Sequence, residues 1–115
     1  MQRNPYNVED LQTYTATPMT GYTLSLNQIK KRNGLCQFLL VFTGVTIATP
    51  NSWTKIATLP IKPILTSVVG SAYNADIAQQ CGEVRVDSDG SMYVSVESAI
   101  SGIYLSISLS YLTND

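Results

Sequence analysis

The residues of this chain that could do chemistry are few, and the densest group is the run Val86-Asp87-Ser88-Asp89-Gly90-Ser91-Met92-Tyr93-Val94. Two carboxylates two residues apart beside a glycine could ligate a cation, serve as an acid–base pair, or make the turn of a hairpin. A calcium loop of the helix–loop–helix kind needs a third oxygen ligand before its glycine and a glutamate at its twelfth position; neither is present. A glycosidase pair must converge from opposed walls of a cleft, which neighbouring turn positions do not do. Histidine is absent from the 115 residues, which removes Ser-His-Asp and Cys-His nucleophiles and makes a four-ligand metal centre very hard to assemble. Cys36 and Cys81 have neither zinc nor Cys-x-x-Cys spacing. Buried free thiols are the plainer reading, and a disulfide would need the two strands adjacent. No catalytic residue, metal ligand or cofactor is expected, and the chain does not read as an enzyme.

Strand register decides what the aspartates do. Val84 and Val86 share one face of a strand, and Met92, Val94 and Val96 share one face of the next, so the loop must bring both sets to one side of the sheet. A two-residue Asp89-Gly90 loop would send them to opposite sides. A three-residue loop, Ser88-Asp89-Gly90, pairs Val86 with Met92 and Val84 with Val94, and this loop length wants a left-handed residue that Gly90 supplies. Asp87 then occupies the first turn position, where its carboxylate is expected to accept a backbone N–H, and Asp89 is an exposed turn residue.

With the carboxylates assigned to a turn, the outward aromatics become the candidates for recognition. If strands 91 to 97 and 102 to 112 form the next hairpin, Val96 lies opposite Ile103, and Tyr93 and Tyr104 become diagonal neighbours on the polar face. Such a patch suits cross-strand packing, a subunit interface or a stacking platform for a sugar ring. Trp53, the one tryptophan, begins the strand WTKIATLP, where it could be a core or sheet-edge aromatic or part of a carbohydrate site. The loop carrying Tyr73, Asn74 and Asp76 mixes an aromatic with amide and carboxylate groups, which suits hydroxyl recognition or an ordinary connection.

The elements that must position these residues are strands. Alternation of period two dominates, and no window holds a helical stripe. In GIYLSISLSYLT, Ile103, Leu105, Ile107, Leu109 and Tyr111 take one face and serines the other. YTLSLNQI places Tyr22, Leu24 and Leu26 on one side, and SMYVSVE does the same with Met92, Val94 and Val96. Further strands are expected around 11 to 16, 34 to 45, 45 to 49, 53 to 59, 64 to 71 and 83 to 87, separated by Gly, Pro and Asn at roughly 8 to 12 residue intervals, the rhythm of a sandwich or barrel. Phe38-Leu39-Leu40-Val41-Phe42 is apolar on both faces, so a loop or another subunit must cover it twice; Phe38, Leu40 and Phe42 are the candidate oligomer contacts.

Composition narrows the partners. Charged residues are 13% of the chain, about half the usual share, while Ser and Thr make up about a fifth, so the surface is hydroxyl and amide rather than ionic. A net charge of −1 supplies no footprint for phosphate neutralisation, and the one basic cluster, Lys30-Lys31-Arg32, reads as a solvated turn. No apolar run is long enough to span a membrane, and the polar start MQRNPYNVED holds no signal region. The chain is therefore expected to be soluble and unprocessed, with no nucleic-acid or membrane partner. Residues 1–10 read as a loose lead-in and 11–115 as one domain.

The order NSWTKIATLP, EVRVDSDGSMYVSV and SGIYLSISLSYLT resembles the terminal domains of tail-fibre, baseplate and receptor-binding proteins of phages infecting Gram-positive bacteria. Trp53, Ile56, Leu59, Pro60, Asp89, Gly90 and Tyr111 fall on that pattern, across roughly residues 20 to 113, whereas LPIKPIL lacks the Gly-Tyr-Arg-Pro often found after the leucine-proline. The resemblance implies an all-β antiparallel sandwich of jelly-roll type with about eight strands, assembled as a homotrimer on a virion appendage, contacting other tail or baseplate proteins and binding host cell-surface saccharide. Trp53, Tyr73, Asn74, Asp76, Tyr93 and Tyr104 are the candidate glycan contacts within that frame. A purely structural trimerisation or scaffold domain is the alternative.

Overall fold

The computed structural model describes residues 10–115; most of the expected lead-in lies outside the described residues. Nine antiparallel strands form one curled sheet, and no helix occurs among the described residues. They are β1 Gln12–Tyr14, β2 Thr17–Pro18, β3 Thr23–Arg32, β4 Leu35–Ile47, β5 Thr54–Thr58, β6 Ser67–Asn74, β7 Gln79–Asp87, β8 Ser91–Val96 and β9 Ile100–Leu112. Their order across the sheet is β1-β3-β4-β9-β6-β7-β8-β5-β2. Within it, β9-β6-β7-β8 is a Greek key: three hairpin-connected strands followed by a fourth that returns beside the first.

Local chemistry explains the tight turns. Asn33 and Gly34 join β3 to β4 with φ of 52° and 77°, the two positive values that a two-residue type I′ hairpin requires. The β7–β8 loop has the length and register read from the sequence: Val84 pairs with Val94 and Val86 with Met92. Gly90 has φ 88°, and its N–H donates to the Asp87 carbonyl at 2.9 Å. A Cβ there would stand 2.4 Å from the Leu59 carbonyl oxygen, so packing as well as φ demands glycine. Asp89 is exposed as expected, but it, and not Asp87, accepts the backbone N–H of the turn. Asp89 accepts the Ser91 N–H at 2.9 Å, whereas the Asp87 carboxylate is held by Arg85.

The core is built from the inward residues of β4, β7, β8 and β9, among them Leu40, Phe42, Val84, Val94, Leu105 and Ile107, all with no solvent exposure. Phe38, Leu40 and Phe42 thus lie inside the chain's own core, which corrects their assignment as oligomer contacts. Alternation explains it: Leu39 and Val41 are the outward apolar residues of β4, and Leu39 is 37% exposed. Bulges after Phe42 carry β4 on to Ile47, so the separate strand expected over 45 to 49 is the far end of β4. Another bulge, between Leu24 and Leu26, reverses the sides of β3. Leu26 then pairs with outward Val41, and Asn27, Ile29 and Lys31 pair with inward Leu40, Phe38 and Cys36. Lys31 is consequently 5% exposed rather than part of a solvated turn.

The chain following β5 is fastened to the β7–β8 turn and to β9. Ile56 and Leu59 are fully or almost fully buried. The Leu59 N–H donates to the Gly90 carbonyl at 2.8 Å, and the Tyr111 hydroxyl donates to the Ile61 carbonyl at 2.5 Å. Burial pushes the Tyr111 phenol well above its ordinary pKa. Cys36 is buried and Cys81 half-buried; both are free, and burial raises the pKa of each thiol.

The two edges of the sheet belong to one stretch of chain. β1 pairs with β3 and β2 with β5, and residues 15 and 16 run between them. Here the Asn27 side chain does the work of a strand: its Oδ1 accepts the Ala16 N–H at 2.7 Å and its Nδ2 donates to the Ala16 carbonyl at 2.9 Å.

Candidate functional site

The outward side chains of β5 to β9 fall into two groups. In the first, Arg85 of β7 lies opposite Tyr93 of β8, and Tyr93 lies opposite Lys55 of β5. The Arg85 guanidinium carbon sits 4.8 Å from the Trp53 ring centroid and 4.4 Å from that of Tyr93. Two bonds to Asp87, Nε to Oδ1 at 2.9 Å and Nη2 to Oδ2 at 3.3 Å, fix the plane of the fork. A cation between two electron-rich faces, oriented by a carboxylate, is a cohesive stack. It also occupies the ring surfaces on which a sugar would have to lie.

In the second group, Tyr73 of β6 lies directly opposite Ser106 of β9, which places Tyr104 two residues along β9 on the same outward face. The tyrosines are diagonal neighbours, with backbones about 7–8 Å apart. Tyr73 is 45% exposed and Tyr104 48%, and neither ring makes an aromatic or cation contact among the described residues.

The β6–β7 turn packs beside this pair through an ordered chain of bonds. Asn74 Oδ1 accepts the Asp76 N–H at 3.0 Å, Asp76 Oδ2 accepts the Tyr104 N–H at 3.3 Å, and the Tyr104 carbonyl accepts the Ala75 N–H at 2.8 Å. These bonds use one oxygen of each side chain. Asp76 Oδ1 and Asn74 Nδ2 make no hydrogen bond. Asn74 also borders a cavity of about 190 Å³ with Ile77, Gln80, Cys81, Glu97 and Ile100.

Three of the six expected glycan contacts, Tyr73, Asp76 and Tyr104, are therefore brought together; Asn74, opposite buried Leu105, turns to the other face of the sheet, and Trp53 and Tyr93 form a separate cluster around Arg85. The expected pairing of Tyr93 with Tyr104 does not occur. β8 pairs with β7 and β5, and β9 pairs with β4 and β6, so the sequence-adjacent strands are not neighbours. Tyr104 meets Tyr73 instead. Arg85 was missed by sequence reasoning although the signal was present: it alternates with Val84 and Val86, and the correct hairpin register sets it opposite Tyr93.

The arrangement offers apolar rings beside a fixed carboxylate, groups whose chemistry suits stacking and directional hydrogen bonds with hydroxylated rings. Among the described residues no group of three or more acidic or cysteine side chains could hold a metal ion. No family model, curated protein or solved structure matches the chain.

Proposed function

We propose that this chain is the saccharide-binding head of a phage tail fibre or baseplate, a jelly-roll β-sandwich working as a homotrimer on the virion. The observation that carries the binding reading is the exposed Tyr73–Tyr104 pair beside Asp76. Sugar C–H faces would lie on the rings, and ring hydroxyls would meet the spare carboxylate oxygen of Asp76. The appendage context, with its host-surface saccharide and neighbouring tail proteins, rests on the sequence resemblance. Homotrimer assembly suits a chain with 13% charged residues that leaves Val69, 53% exposed, on its outer face. The reading assigns no catalysis to the chain.

A glycan array followed by titration tests the binding. Tyr73→Ala and Tyr104→Ala should each weaken saccharide binding about tenfold, the loss of one stacking face, and leave the solution mass unchanged. No binding to any saccharide at millimolar protein concentration would remove the proposal. A structural scaffold domain is the second reading, favoured by the Trp53–Arg85–Tyr93 stack, whose aromatic surface is already used internally. Under that reading the tyrosine variants would change the oligomer instead. Light scattering decides the assembly: a mass near three times 12.5 kDa supports the trimer and a monomer refutes it.

A further inference from the structure

A cavity lies away from the tyrosines, on the outer face of β3, β4 and β9. It has a volume of about 530 Å³ and is lined by Gln28, Lys30, Gln37, Leu39, Ser108 and Ser110, with a buried edge of Phe38 and Leu109 beneath. Register arranges this lining as rungs. Gln28, Leu39 and Ser108 sit side by side across the three strands, and Lys30, Gln37 and Ser110 form the next rung. A neighbouring cavity of about 460 Å³ shares Lys30 and Gln37 and adds Arg32 and Leu35, so the furrow continues for a third rung.

Lys30 and Arg32 are both exposed and make no ion pair. Two residues apart on one strand, their backbones stand about 7 Å apart along the furrow. Neither cavity is lined by a carboxylate. Of the described acidic side chains, Asp10 precedes Leu11 at the rim of the second cavity, Asp115 accepts the Lys62 N–H at 2.7 Å, and Asp76, Glu83, Asp87, Asp89 and Glu97 belong to the β6–β8 half of the sheet and its loops. A chain of net charge −1 thus carries a locally cationic furrow furnished with amides and hydroxyls.

We infer that this furrow is a second binding site, for a linear acidic glycan: a chain of sugars or polyols bearing carboxylate or phosphate at regular intervals. Lys30 and Arg32 take successive anionic groups, Gln28, Gln37, Ser108 and Ser110 bond the hydroxyls between them, and Leu39 underlies the apolar ring faces. Single-stranded nucleic acid fits the charge less well as an occupant, because its bases need aromatic platforms and the outward lining has none. The inference does not depend on the Tyr73–Tyr104 site, since it concerns other residues and a differently charged ligand.

The test is titration of the whole chain with oligogalacturonate, a polyol-phosphate oligomer, neutral dextran oligomers and a mixed-sequence single-stranded oligonucleotide. Either acidic glycan should bind, more weakly as sodium chloride rises, and the two arms tell carboxylate from phosphate recognition. Lys30→Gln with Arg32→Gln should weaken that binding about tenfold and leave thermal unfolding unchanged, both residues being exposed. Tyr104→Ala should leave it intact. Ser108→Ala with Ser110→Ala, which keeps the charges, should lower affinity without altering the salt dependence. The proposal is overturned if neither acidic glycan binds at millimolar concentration, if dextran binds equally well, if the oligonucleotide binds more tightly, or if the Lys30 and Arg32 double variant binds as wild type does.

Discussion

Replacing Arg85 with alanine should destabilise the protein by about 2 kcal/mol, and each part of that figure comes from a contact in the structure. The guanidinium lies 4.8 Å from the Trp53 centroid and 4.4 Å from that of Tyr93, and a cation over a partly exposed ring contributes about 0.5–1 kcal/mol. Its pair with Asp87 joins side chains 26% and 29% exposed, a setting in which screening limits an ion pair to well under about 1 kcal/mol. For a domain this size about 2 kcal/mol corresponds to a fall of about 8 °C in Tm. Arg85→Lys keeps the charge but loses the planar fork, so it should recover less than half of the loss. Urea unfolding of wild type, both variants and Asp87→Asn separates ring contacts from ion pair. Trp53, the only tryptophan, reports directly, since its emission should shift to the red when the guanidinium that covers it is removed. An Arg85→Ala variant within about 0.5 kcal/mol of wild type, or one with unchanged Trp53 emission, would refute the stacking argument.

Two further perturbations test the frame that carries the candidate sites. Asn27→Ala removes both side-chain bonds to Ala16 and should cost about 2 kcal/mol, with the Ala16 amide losing protection in hydrogen exchange before the core strands do. Acidification should act through Asp89, whose carboxyl is held below the usual carboxylate range chiefly by the Ser91 backbone N–H and then by the Ser91 hydroxyl. Its folded pKa is below the unfolded one, so the stabilisation is present above the unfolded value and lost as pH falls through the folded one. Asp89→Asn should therefore lose less stability than wild type between pH 7 and about pH 3, as measured by urea midpoints at the two values.

Much of the strand pattern was readable because alternation in this chain is seldom interrupted. The Val84–Val94 pairing followed from two apolar sets and one glycine, since a single-residue slip would have exposed both sets. Reading failed where the backbone breaks period two or where the chain passes over a neighbour. The bulge between Leu24 and Leu26 carries no distinctive residue, yet it turns Leu26 outward and Lys31 inward. The three residues 97–99 link β8 to a strand beside β6, not beside β8, so Tyr93 and Tyr104 separate although their residues looked ready to meet. Tyr73 and Tyr104 come together only through a contact between β6 and β9, which sequence proximity cannot announce. The double apolarity of Phe38 to Phe42 resolves into buried and exposed alternation, and its outward Leu39 becomes part of the furrow.

Sheet edges left open recruit other strands, and soluble proteins commonly guard them with charge. This chain has little charge to deploy, yet β1 and β2, three and two residues long, are the terminal strands of its sheet and are joined to each other. The joint therefore caps both edges with one short stretch of chain. It also concentrates risk: releasing the one amide clamp at Asn27 would bare the flanks of β3 and β5 together, so loss of that side chain should convert a self-contained fold into one that templates its own aggregation.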